Sequence, residues 1–173
     1  MGYYLNYENP IVLVDDFNLD LDHVVRHFVR LGYDNIAGYL AGGFAAWFKQ
    51  GETVERSGTW SPPDLAENLD DPSIWVLDVR NVNHREEDGY IQGSHHIYVG
   101  HLEEHIDEIP EDKRIVVHCD AGFKGGSLAA SILEKHGFRN VTNLLGGTIG
   151  WKAANYPLVK DEEKPPLSVP PAM

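Results

Sequence analysis

The chain has 173 residues, of which 42% are hydrophobic and 24% charged, so it can bury one substantial core, or one full domain with part of a second. A formal net charge of -13 at pH 7 argues against nucleic acid or an anionic membrane as a partner, because both require clustered Lys and Arg. No apolar run approaches the roughly 20 residues that span a bilayer, and the first ten residues do not resemble a signal peptide, so we expect a cytoplasmic protein.

Residues 1–53 predict a strand–helix–strand–helix unit. Residues 10–15 are typical of a buried strand and residues 21–31 of a helix, and a second strand and a glycine pair then lead to Trp47. The same order recurs in the last third of the chain, where Trp151 lies 104 positions after Trp47. The sequence therefore predicts two copies of one unit.

Residues 54–63 predict a linker, and residues 58–160 predict an α/β domain with a mostly parallel central sheet flanked by helices. Ser61, followed by two prolines and Asp64, is typical of a helix start. The remaining elements expected in this domain are strands at 74–79, 97–99 and 114–119 and helices at 101–107 and 127–136. Residues 161–173 are charged and proline-rich, and we expect them to be disordered.

The single cysteine, Cys119, lies where an apolar strand ends and a glycine-rich loop begins. Ligands of parallel α/β sheets bind beyond the carboxyl ends of the strands. Glycines in this loop allow backbone amides to point inward as an anion-binding nest, and Lys124 and the N-terminus of the next helix add positive charge. This pattern favours a nucleophilic thiol beside an anion site over a buried structural cysteine.

Four motifs resemble those of the rhodanese family, in the family's order. They are Leu77-Asp78-Val79-Arg80, the segment Gly89–Ser94 with departures at Tyr90, Gln92 and Ser94, His118-Cys119-x-x-Gly122-x-Lys124, and Leu145-Gly146-Gly147 with Trp151. The resemblance covers residues 58–160 and implies a rhodanese fold with neither cofactor nor metal. It implies a sulfurtransferase in which Cys119 carries sulfur, with Asp78, Arg80 and His118 as supporting residues. The implied substrate-binding loop is Asp120, Ala121, Gly122, Phe123, Lys124 and Gly125.

The resemblance also implies the partners. Thiosulfate or a glutathione-type persulfide donates sulfur to Cys119, and a thiol, sulfite or cyanide accepts it. Asp120 places a negative charge beside the nucleophile and weakens the attraction for a dianion, which favours a persulfide donor.

The first copy resembles the C-terminal half of a rhodanese domain that has lost its cysteine, because Asp15 occupies the position in the first copy that Cys119 occupies in the second. A degenerate copy followed by an intact one resembles the C-terminal part of fusions between a metallo-β-lactamase-like persulfide dioxygenase and rhodanese modules. The chain is then expected to form a homo-oligomer or to lack the N-terminal dioxygenase domain of such a fusion.

Two other functions remain open. Rhodanese-fold phosphatases and arsenate reductases use a cysteine in a loop one residue longer that ends in Arg, whereas Lys124 closes the loop here and Gly125 follows. A non-enzymatic interaction module fits the cysteine-less first copy but not the intact second loop. Two histidine pairs, His95-His96 and His101/His105, lack the pattern of a known metal motif, so no metal is expected.

Overall fold

A computed structural model describes residues 5–16, 19–54 and 56–160. The chain divides into two compact units, Met1–Arg56 and Ser57–Met173. The predicted disordered tail at residues 161–173 lies outside the described residues. In the described part of the chain, no helix combines the length and the apolar character that a membrane crossing requires.

The first unit has the predicted strand–helix–strand–helix order. Its elements are β1 (Ile11–Leu13), α1 (Leu21–Arg30), β2 (Ile36–Tyr39) and α2 (Gly43–Lys49). The two strands pair in parallel, as the connection through α1 requires. The unit thus forms a small two-stranded parallel sheet.

The second unit contains a five-stranded parallel sheet with the order β3-β7-β6-β4-β5. The strands are β3 (Gly58–Trp60), β4 (Ile74–Asp78), β5 (His95–His96), β6 (Arg114–His118) and β7 (Val141–Leu144). The helices are α3 (Pro62–Glu67), α4 (Val82–Asp88), α5 (Gly125–Lys135), α6 (Gly147–Ala153) and a 3₁₀ helix over Val99–Glu108. This architecture confirms the predicted α/β fold with a parallel central sheet.

The core of this unit forms where α3 and α6 pack on the sheet. Its buried residues are Leu65, Val76, Ile91, Val116, Leu144 and Trp151. The central strands are apolar on both faces because helices cover both sides of a parallel sheet. The predicted helix start is also present: the Asp64 carboxylate accepts hydrogen bonds from the Ser61 amide at 2.7 Å and the Ser61 hydroxyl at 2.6 Å.

Two predicted elements were wrong. Residues 58–60 are not part of a linker but form β3, which pairs in parallel with β7 from Gly58 to Trp60. A Cβ atom on Gly58 would lie 2.9 Å from the Thr142 hydroxyl, so glycine permits this close edge pairing rather than marking a turn. Residues 97–99 do not form the predicted strand, because β5 ends at His96 and Val99 begins the 3₁₀ helix.

Candidate active site

The candidate site lies at the carboxyl ends of β4 and β6, which are neighbours in the sheet. Asp78, the last residue of β4, pairs in register with His118, the last residue of β6. Cys119 follows His118 directly and is only 7% exposed. The loop from Cys119 to Lys124 then leads into α5. The sheet therefore brings three of the predicted residues to one edge.

The loop curves around the Cys119 sulfur. The Gly122 amide donates a hydrogen bond to Cys119 Sγ at 3.2 Å. Gly122 has a φ of +76°, and a Cβ atom there would lie 2.6 Å from the Gly146 nitrogen, so both conformation and space require glycine. The Asn143 side chain donates to the Gly122 carbonyl at 2.6 Å and fixes the far side of the loop. Sequence reasoning missed Asn143, which lies in β7, 21 residues from Gly122.

The start of α6 holds the backbone of Cys119 and Asp120. The Thr148 amide donates to the Cys119 carbonyl at 3.0 Å, and the Ile149 amide donates to the Asp120 carbonyl at 2.9 Å. A Cβ atom on Gly147 would collide with the Cys119 carbonyl, so the second glycine of the pair allows α6 to approach this closely. The glycine pair before Trp151 thus supports the loop without contributing chemistry.

A cavity of about 390 Å³ opens over the thiol. Its lining includes Cys119 and most of the predicted loop, together with Arg80, His84 and Tyr98. Phe123 is 63% exposed, and Lys124 Nζ lies 5.8 Å from the centre of its ring. Gly125, the first residue of α5, would place a Cβ atom 3.1 Å from that of Cys119, so the helix starts directly against the thiol. The exposed lysine and the aromatic ring form the outer part of the site.

Asp78 and Arg80 form an ion pair with fully buried side chains, and Arg80 also lines the cavity. Arg80 Nε and Nη2 donate to the two carboxylate oxygens at 2.9 and 2.7 Å. Burial raises the pKa of Asp78, but the hydrogen bonds from Arg80 and the neighbouring positive charges outweigh it and lower the pKa to about 2. The pair is therefore ionised, and it orients the segment that lines the cavity.

Arg85 also binds Asp78, and sequence reasoning missed it. Its Nη1 lies 2.9 Å from the carboxylate and 3.1 Å from the Ser94 hydroxyl. Its guanidinium stacks over the Tyr90 ring at 3.8 Å. Tyr90 and Ser94 are two of the three departures from the family segment, and both contact Arg85. The unusual residues thus form one local arrangement around Asp78.

His118 is fully buried, and its Nε2 lies 4.0 Å from the Asp78 carboxylate. Burial lowers its pKa to about 4, and the nearby Asp78 charge opposes this only in part. The imidazole is therefore neutral near pH 7. The buried neutral ring therefore packs at the end of β6.

His84 is the third residue of the site that sequence reasoning missed. Its Nδ1 lies 3.0 Å from Asp120 Oδ2, and both residues line the cavity over Cys119. No spacing pattern pointed to it, because α4 is short and mostly polar. The Asp120 carboxylate, which follows Cys119 directly in the chain, therefore has a histidine partner.

Two histidines of the 3₁₀ helix contact nearby carboxylates. His101 and His105 each bind a glutamate three residues on, at 3.1 and 2.7 Å, and both lie on the 3₁₀ helix. Among residues 5–16, 19–54 and 56–160, no group of three or more His, Cys, Asp or Glu side chains is placed to hold a metal ion.

Comparisons with known proteins identify the family. A model of the rhodanese-like domain matches residues 61–154, more than half of the chain. The chain is 33% identical over 129 residues to Bacillus subtilis YrkF, which is named as a sulfur carrier protein, covering 74% of this chain and 61% of YrkF. It is 32% identical over 80 residues to the thiosulfate sulfurtransferase GlpE of Coxiella burnetii, covering 46% of this chain and 73% of GlpE.

A solved structure shows the same fold. The crystal structure of a rhodanese-related protein from Thermoplasma volcanium superposes with a TM-score of 0.55 at 29% identity, covering 60% of this chain and 99% of that one. None of these matches shows the persulfide dioxygenase fusion that the sequence suggested. The likeness therefore extends to the fold and to a distant sulfurtransferase relationship.

Proposed function

Because the chain belongs to the rhodanese-like domain family, we propose that it is a sulfurtransferase that carries sulfane sulfur on Cys119. The donor is thiosulfate or a low-molecular-weight persulfide, and the acceptor is a thiol, sulfite or cyanide. The observation that carries the proposal is the placement of Cys119 at the end of β6, with the Gly122 amide 3.2 Å from Sγ. The names of the relatives, a thiosulfate sulfurtransferase and a sulfur carrier, support it.

The first step loads the cysteine. The Cys119 thiolate attacks the outer sulfur of thiosulfate, a sulfur–sulfur bond forms at Sγ, and the bond to the sulfonate sulfur breaks with its electron pair leaving on sulfite. The products are a Cys119 persulfide anion and sulfite. The loop amides and the N-terminus of α5 favour an anion at this position.

The second step unloads it. A nucleophile such as cyanide attacks the terminal sulfur, and the electron pair of the sulfur–sulfur bond returns to Cys119 as thiolate while thiocyanate leaves. The enzyme is restored without any added reductant. Because the persulfide lies between two half-reactions, we expect ping-pong kinetics.

The mass of the intact protein tests the proposal. After exposure to thiosulfate or glutathione persulfide and removal of the donor, the parent should gain the mass of one sulfur atom, and cyanide should remove it. Cys119→Ser should keep the far-UV circular dichroism spectrum of the parent and gain nothing, because a hydroxyl is a far poorer nucleophile than a thiolate. A parent that acquires no sulfur from either donor, or that instead hydrolyses an aryl phosphate, would contradict the proposal.

The contribution of Lys124 is tested separately with thiosulfate. Its ammonium group lines the cavity, and a unit charge about 6 Å from a dianion in a water-exposed site changes the free energy by about 1.4 kcal/mol, or roughly tenfold in rate. Lys124→Gln should therefore lower kcat/KM for thiosulfate about tenfold. Lys135→Gln, a matched change at the far end of α5 at a lysine paired with Glu103, should have little effect. Equal losses in the two variants would show that Lys124 has no local role.

A further inference from the structure

The His84–Asp120 pair joins two elements at the mouth of the cavity. His84 belongs to α4, and Asp120 follows the nucleophile directly, with 3.0 Å between Nδ1 and Oδ2. Both side chains are partly exposed, 56% for His84 and 36% for Asp120, so the pair faces the solvent through which a substrate enters. Neither the proposed chemistry nor the Asp78–Arg80 ion pair uses His84.

The charges around His84 come from three elements. Asp120 faces it from the loop, and Glu87 and Asp88 lie on its own helix. Asp88 is paired with Lys152 of α6 at 3.0 Å. The other cations lining the cavity are Arg80, which is bound to Asp78, and Lys124. His84 is therefore the cation in direct contact with Asp120, the carboxylate nearest to the nucleophile in sequence.

We propose that His84, through its ion pair with Asp120, sets the charge that an anion meets on its way to Cys119 and so makes donor selection depend on pH. With His84 protonated, the pair has no net charge. With His84 neutral, the uncompensated Asp120 carboxylate repels anions. His84 is thus a positioning and specificity residue, and its consequence for donors rests on the proposed sulfurtransferase function.

The direction of the pH dependence comes from the same contact. The hydrogen bond to Asp120, followed by the Asp120 charge, raises the pKa of His84 above its usual value of 6.5, and partial burial opposes this. The protonated pair therefore persists to a higher pH than it would for an isolated histidine. Access for anions should fall as pH rises through this titration.

Two alkylating reagents measure this effect independently of sulfur transfer. Iodoacetate is an anion and iodoacetamide is neutral, and each forms a thioether with the thiolate and releases iodide. Cys119 is the only cysteine, so intact mass follows both rates without ambiguity. Both rate constants are proportional to the fraction of thiolate, so their ratio does not depend on it. The ratio therefore measures how strongly the site favours or disfavours an anionic reagent. The burial-depressed pKa of His118, about 4, keeps that residue from titrating between pH 5.5 and 9.

In the parent, we expect the iodoacetate-to-iodoacetamide ratio to fall about threefold between pH 5.5 and 9, the effect of one charge about 7 Å from a monoanion in a wet cavity. His84→Gln can still hydrogen-bond Asp120 but carries no charge, so its ratio should be flat at the high-pH value of the parent. In Asp120→Asn the iodoacetate-to-iodoacetamide ratio should be about three times that of the parent at high pH. His105→Gln, which disrupts a comparable histidine–glutamate pair outside this cavity, should behave as the parent does.

The outcomes separate this inference from the proposed function. A ratio in the parent that does not change with pH, or a pH dependence that survives in His84→Gln, overturns the role of His84 whether or not Cys119 accepts sulfur. If the alkylation ratios show the expected pattern and the protein also loads sulfur, the thiosulfate loading rate divided by the iodoacetamide rate at the same pH should show about the square of the effect, roughly tenfold, because thiosulfate is a dianion. A ratio of these two rates that shows no such pH dependence would refute the consequence for donors.

Discussion

Replacing Asp78 with asparagine should destabilise the second unit strongly. The side chains of Asp78 and Arg80 are 0% exposed. The Arg85 side chain, which is 16% exposed, also binds the Asp78 carboxylate. Asparagine has nearly the same shape, but it leaves two guanidinium groups with no anion between them. The substitution therefore tests charge rather than packing.

The expected magnitude depends on burial. Removing one partner of a buried ion pair costs about 3–5 kcal/mol. We expect about 3 kcal/mol for Asp78→Asn, because the amide oxygen can still accept one of the hydrogen bonds from Arg80. Since domains of this kind are stable by roughly 5–15 kcal/mol, such a loss would remove a large share of the unfolding free energy.

Urea unfolding followed by tryptophan fluorescence measures this loss, and three of the four tryptophans lie in the second unit. Asp88→Asn is the matched control, because Asp88 pairs with Lys152 at 3.0 Å with both side chains about half exposed. Exposed ion pairs contribute only about 0–1 kcal/mol to the free energy of unfolding. If Asp78→Asn lost no more than Asp88→Asn at equal m-values, the buried carboxylate would not be what holds the two arginines in place.

Two further predictions concern pH and the loop. The unfolding free energy should fall by about 3 kcal/mol as the pH drops from 6.5 to 4, because unfolding allows His118, whose folded pKa is about 4, to take up a proton. In His118→Leu the unfolding free energy should change little over this pH range. An equally steep loss in that variant would show that other groups cause the pH dependence. Gly122→Ala should abolish sulfur loading, because a Cβ atom there would lie 2.5 Å from the Leu144 carbonyl. The control is Gly137→Ala, at a φ of +97° with open space around it. It should lower the unfolding free energy by about 1 kcal/mol and still load sulfur. Equal loading by the two alanine variants would show that the loop does not need glycine at position 122.

The sequence could predict features that depend on neighbours along the chain. The apolar runs that became β4 and β6, the Ser61–Asp64 cap and the glycine-rich loop after Cys119 all depend on local periodicity or on residues within a few positions of one another. Several such signals in the right order predict the rhodanese-like family and its parallel sheet. The edge strand β3 was missed because a three-residue run that starts with glycine has the local pattern of a turn.

The residues that could not be predicted act across the fold. Arg85 binds Asp78 seven positions away, and His84 binds Asp120 36 positions away. Both lie in α4, which has no buried residue. Its sequence has no apolar periodicity that would indicate which side faces the site. Only the placement of α4 beside the ends of β4 and β6 makes these contacts evident.

The first unit helps to separate the residues that the loop needs for folding from those that it needs for chemistry. In it, a Cβ atom on Gly43 would collide with the Asp15 carbonyl, as one on Gly147 would with the Cys119 carbonyl. Trp47 donates to a backbone carbonyl six positions on at 3.2 Å, and Trp151 does the same at 2.8 Å. The glycine pair and the tryptophan thus serve the backbone whether or not a thiol is present.

The two units differ in the residues that come directly after the strand. The Asp15 carboxylate accepts a hydrogen bond from the Leu19 amide at 3.2 Å, so a fixed side-chain anion binds a loop amide there. In the second unit the Gly122 amide instead donates to the Cys119 sulfur, and a cavity opens over it. A carboxylate cannot carry a transferable sulfur atom, because it offers no thiolate to attack a sulfur donor. One backbone arrangement therefore occurs in both units, and in the second unit it holds a thiol beside a cavity.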